Sequence, residues 1–151
     1  MAEPGSSRVE ARPRTPAHLW VVGVLALLWQ LVGVFDYTAT QMRVESYMAE
    51  FTEEQLAYFT GFPGWVIVAW TIAIWCGLFG AIALLLRRRW AVWLYGLSIV
   101  GLAVTSVYNF GLSEGVAVMG TAGVVFTVVI WIVTIALLLY ARKMAARGIL
   151  V

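Results

Sequence analysis

The chain has 151 residues, 62% of them hydrophobic and 12% charged, with a formal net charge of +2. A water-soluble domain of this size could not bury so much apolar surface, so the composition places the chain in a bilayer. The basic residues are too few, and too spread over membrane boundaries, for a nucleic-acid partner. The single cysteine, Cys76, excludes an intrachain disulfide and, inside an apolar run, reads as a small buried hydrophobe.

Residues 1–16 carry three of the four prolines together with Arg8, Arg12 and Arg14, and read as a disordered tail. The apolar run 17–35 follows. It is longer than a signal-peptide core and no small-residue cleavage site comes after it, so it is expected to be retained as a transmembrane helix. A polar segment, 36–64, separates it from three further apolar spans, 65–86, 90–110 and 116–140, none of which contains Asp, Glu, Lys, Arg or His. At about 1.5 Å per residue each span can cross a hydrocarbon core of about 30 Å as a helix. Helices also satisfy their own backbone polar groups in lipid. The expected fold class is all-α: an integral membrane four-helix bundle with a short helical periplasmic cap between helices one and two, ending in a cytoplasmic tail at 142–151.

Nine of the ten Lys and Arg residues fall in the first tail, the Arg87-Arg88-Arg89 turn and the last tail, leaving only Arg43 on the other side. The positive-inside rule therefore places both termini and the arginine turn in the cytoplasm. Trp20, Trp65, Trp90 and Trp93 lie near span ends, as interfacial anchors do. Within the polar segment, Thr52-Glu53-Glu54-Gln55 has the pattern of a capping box and predicts a short helix from Glu53 to about Phe59, ended by Gly61-Phe62-Pro63-Gly64. Thr38 to Phe51 has neither Gly nor Pro and could extend helix one.

Small and weakly polar residues mark helix seams in lipid. They recur on one face of each span: Gly23, Ala26, Gln30, Gly33 and Tyr37; Ala73, Gly77 and Ala81; Tyr95, Ser98, Leu102, Thr105 and Asn109; Gly120, Gly123, Thr127, Trp131 and Thr134. The candidate polar cluster is Gln30, Asp36, Tyr37, Arg43, Tyr108 and Asn109, expected to converge beneath the cap. Each member also has a structural reading. Gln30 can be an interhelical hydrogen-bonding residue, Asn109 can bond into its loop, and Arg43 can pair with Glu45, Glu50 or Glu114. Arg87, Arg88 and Arg89 are candidate lipid-headgroup contacts, though a topology signal accounts for them too. His18 has no second histidine with which to form a metal site, and Ser, His and Asp fall on opposite sides of the membrane, so no catalytic residue, metal or cofactor is expected.

Asp36-Tyr37, Met42-Arg43, Gln55-Leu56-Ala57-Tyr58-Phe59, Gly61-Phe62-Pro63, Trp65 and Tyr108-Asn109-Phe110 resemble a group of small four-helix bacterial inner-membrane proteins that carry the label "sugar transporter". The likeness covers roughly residues 18–140. It implies a bacterial inner membrane and transport, and it assigns no functional residue.

Two functions fit these residues. The first is an accessory or scaffold protein of a larger membrane complex, favoured because no Asp, Glu, Lys, Arg or His lies inside the last three spans. The alternative is an oligomeric binding or transport unit for a small polar solute such as a sugar, entered from the periplasm. Membrane lipids and a homo-oligomer or larger complex are the expected partners.

Overall fold

The computed structural model describes residues 14–151. The tail expected at 1–16 lies outside them except for its last three residues. Of the described residues 83% are helical and none lies in a strand, and four of the helices are long and apolar enough to cross a membrane. It is an all-α four-helix bundle of a multi-pass membrane protein.

Helix α1, Ala17–Gln41, starts after Pro16 and runs beyond the expected end at Phe35, because nothing in the next six residues breaks it. It closes in a Schellman-type turn: Arg43 N–H bonds to Thr40 O at 3.2 Å and Val44 N–H to Ala39 O at 3.0 Å. The left-handed position of that turn, φ +52°, is held by Arg43 rather than glycine. One turn of helix, α2 (Glu45–Met48), leads to α3 (Glu53–Thr60), whose capping box forms as expected. Gln55 N–H donates to Thr52 Oγ1 and Thr52 N–H to Gln55 Oε1, both at 3.2 Å.

Helix α4, Gly64–Leu85, starts at Pro63, whose carbonyl accepts from Val66 and Ile67. It ends in a second Schellman-type turn with Arg87 at φ +55°. Helix α5, Trp90–Val107, passes into a π-helical turn, Tyr108–Leu112. Helix α6, Gly115–Ala146, is kinked at Gly120, where φ +64° and ψ −173° are accessible to glycine and strained for other residues.

Helix α4 is the axis of the bundle, with α5 on one side and α1 on the other. The small residues expected on α4 are all buried, and so are Gly23, Ala26 and Gln30 of α1. Ser98 Oγ donates to Ala73 O at 2.6 Å, and a Cβ added to Gly101 would lie 2.5 Å from Ala69 O, so α4 and α5 approach backbone to backbone. The apolar core fills the half of the bundle near the arginine turn, from Leu19 and Leu84 to Tyr95, Leu137 and Met144.

Residues 142–151, expected as a tail, continue α6 to Ala146 and contribute Met144, Ile149 and Leu150 to this core. After Ala146 a third Schellman-type turn forms around Gly148, with Ile149 N–H on Met144 O at 3.0 Å. Ile149 and Leu150 are buried, and Val151 exchanges backbone hydrogen bonds with Arg87 O (2.7 Å) and Arg89 N–H (3.1 Å). Apolar side chains at 149 and 150 next to a helix-stopping glycine explain the docking.

Candidate functional site

The cap and the helix ends beneath it form one connected aromatic layer. From α1 and α2 it runs Phe35–Tyr47–Phe51–Phe59, with ring centroids 5.3 to 5.9 Å apart in edge-to-face contacts. From α3 it continues through Tyr58 and Phe62, 5.2 Å apart, to Tyr108 at 5.5 Å and Trp70 at 5.9 Å. Trp65 closes on Tyr108 at 5.6 Å and Tyr37 on Trp70 at 5.1 Å. Edge-to-face pairs of this kind add about 0.5–1.5 kcal/mol each to their area burial.

The polar groups within the layer satisfy one another. Tyr58 Oη donates to Asn109 Oδ1 at 2.8 Å and lies 2.7 Å from Ser113 Oγ, which donates to Tyr108 O at 2.9 Å. Two hydroxyl protons thus serve three contacts, and one is shared. The π-helical turn brings this about: the wider turn carries Asn109 and Ser113 to the same side, over Gly115, where any Cβ would meet Tyr58 Oη at 2.5 Å. Burial pushes the Tyr58 hydroxyl above its ordinary pKa and Tyr108 adds to the rise, while the Ser113 bond partly offsets it. Tyr37 donates to Thr71 Oγ1 at 2.6 Å, because the Thr71 proton is committed to Ile67 O. Tyr47 donates to Asp36 Oδ1, and burial, the bond itself and the carboxylate charge all raise its pKa.

Of the expected cluster, Tyr37, Tyr108 and Asn109 come together in this layer, and Asp36 joins at its edge through Tyr47. Gln30 and Arg43 do not. Gln30 is buried deeper in the bundle, its amide against Gly77, where an added Cβ would lie 2.7 Å from Oε1. Arg43 is exposed at its turn and makes none of the pairings expected with Glu45, Glu50 and Glu114, which are exposed as well. Of the arginine turn, Arg87 donates to Thr15 Oγ1 at 2.6 Å. Arg89 instead lines the two shallow concavities at that end of the bundle, of about 440 and 370 Å³. Neither concavity lies at the cap. His18 has its Nδ1 2.6 Å from Tyr140 Oη.

Sequence reasoning missed Tyr58, Ser113, Trp70 and a second role for Gln55. Beyond closing the capping box, Gln55 donates from Nε2 to Val118 O at 3.4 Å, reaching α6 two residues before the Gly120 kink. The aromatic spacing of the cap was a usable signal for Tyr58. Nothing local indicates Ser113 or Val118, because both depend on how the chain turns after α5.

Among the described residues no three His, Cys, Asp or Glu side chains gather as metal ligands. Compared with known proteins, the chain matches no family model, no curated protein and no solved structure.

Proposed function

We propose that this chain is a non-catalytic accessory or scaffold protein of a larger complex in a bacterial inner membrane, with both termini in the cytoplasm. The observation that carries the reading is the cap-end half of α6. This helix is the least buried of the four membrane-length helices. Where it leaves the cap it presents Gly120, Thr121, Ala122 and Gly123, with Thr121 and Ala122 exposed. Lipid-facing positions are ordinarily bulky and apolar, whereas small residues mark places where another helix approaches closely. The kink at Gly120 sets the angle of this segment, and Gln55 ties it to the cap. The aromatic layer agrees with such a role, since its edge-to-face contacts hold the cap against the helix ends.

A photo-crosslinking residue at Thr121 is expected to give a discrete adduct with a second polypeptide in intact membranes. The same residue at the lipid-facing Leu25 should give none, and Gly120→Ala should weaken the Thr121 adduct. Absence of any protein adduct at Thr121 overturns the proposal. An adduct made only with a second copy of this chain moves the reading to the oligomeric solute-binding unit. The observation favouring that second reading is the Gln30 amide, a polar group buried within the bundle against Gly77. A solute-dependent melting shift that disappears in Gln30→Ala would support it.

A further inference from the structure

We propose that the groove between the start of α5 and the end of α6 holds the headgroup of an anionic glycerophospholipid, with its phosphate between Arg89 and Arg142. The groove has a volume of about 370 Å³ and is lined by Arg89, Val92, Trp93, Arg142, Ala145 and Ala146. A neighbouring hollow of about 440 Å³ shares Arg89 and Trp93 and adds Trp90. Both arginines are exposed at this end, and every acidic side chain among the described residues (Asp36, Glu45, Glu50, Glu53, Glu54 and Glu114) lies at the cap end. Among the described residues no carboxylate side chain competes for the two guanidinium groups, which suit a phosphate through bidentate, charge-assisted bonds. The alanines leave room for a headgroup to approach the helices.

The sequence along each wall follows the order of a lipid molecule. On α5 the exposed row is Arg89, Trp93, Leu97 and Val100: a charge, then an indole at glycerol depth, then aliphatic side chains. On α6, read in the opposite direction, it is Arg142, Leu139 and Ile135, all exposed. A free anion would use only the arginine end, whereas an acyl lipid uses both rows. The inference differs from a general attraction of the arginine turn for negative membranes, because it selects Arg89 and Arg142, from different helices, over Arg88 and Arg147.

The test is a titration of the full-length chain, stripped of lipid in a neutral detergent, followed by native mass spectrometry. The parent should bind phosphatidylglycerol about thirtyfold more tightly than phosphatidylcholine, the worth of two basic residues at a membrane surface. Arg89→Gln with Arg142→Gln should lose that preference, while the charge-matched pair Arg88→Gln with Arg147→Gln should keep it. Ala146→Glu, which places a carboxylate in the groove and leaves both arginines, should also abolish it and guards against a folding effect of the double change. Equal binding of the two lipids by the parent, or equal loss in both double variants, overturns the proposal. Displacement of phosphatidylglycerol by millimolar inorganic phosphate also overturns it, because it would identify a site for a free anion.

Discussion

Gly101 and Gly77 both lie on helix seams, yet a methyl group would meet different obstacles at each. At Gly101 it would sit 2.5 Å from Ala69 O and 2.7 Å from Ala73 N, both backbone atoms of a neighbouring helix that cannot move aside singly. At Gly77 it would meet only the amide end of Gln30, at 2.7 to 2.9 Å, and that side chain can swing away. Gly101→Ala is therefore expected to cost about 1–3 kcal/mol, as overpacking does, and Gly77→Ala distinctly less. Reversible unfolding in mixed detergent micelles measures both, and equal losses would mean that α5 slides to absorb the change. Spacing had singled out Gly77, within the Ala73–Gly77–Ala81 run, but not Gly101. The expected face of α5 was chosen by its hydroxyls and amides, and closeness of approach is fixed by the partner's backbone, which a single helix does not encode. The same reasoning applies to Arg43. A lone basic residue among acids suggested a pairing, whereas its position at φ +52° in a helix-ending turn directs it outward.

The cap helix α3 is held at two points by a single side chain. Gln55 Oε1 closes the capping box and Gln55 Nε2 reaches Val118 O. A glutamate at this position keeps the first function, and its charge suits the helix N-terminus, but it has no proton to donate. In Gln55→Glu, hydrogen exchange is expected to stay slow within Glu53–Thr60 and to quicken in α6 around Gly120. Faster exchange in both segments would show that the cap depends on its α6 contact. In the parent, protection of the cap should be constant through neutral pH. Tyr58 has a pKa raised on folding, so the stability it lends is fully present below its unfolded value of about 10 and is lost as the pH rises through the folded one. The capping box, its length and its stop were legible from Thr52, Gln55 and the Gly61–Gly64 turn. The direction in which Tyr58 and Phe62 point was not, because the π-helical turn at Tyr108–Leu112 that receives them is set by packing against Gly115.

Taken as one body, the chain has two dissimilar ends. One is a polar, acidic cap sealed by aromatic rings; the other is a basic turn onto which the last residues fold. Fusions of alkaline phosphatase and of a fluorescent protein at Gln55, Arg88 and Val151 should give phosphatase activity only at Gln55 and fluorescence at the other two, as the nine-to-one distribution of basic residues requires. Phosphatase activity at Val151 would reverse the orientation. The number of spans and their helical state followed from composition and segment length alone. Transfer from water to lipid is nearly additive over residues, and an unsatisfied backbone in hydrocarbon has no other low-energy choice. The kink at Gly120, the docking of Ile149 and Leu150, the separation of Gln30 and Arg43 from the cap cluster and the pairing of Arg89 with Arg142 across one groove came only from the folded chain. Each is a contact between segments distant in sequence or a backbone angle that such contacts impose. Local pattern limits those features without choosing among them, since a glycine suits a straight span as well as a bent one and a terminal Ile-Leu suits a free tail as well as a core.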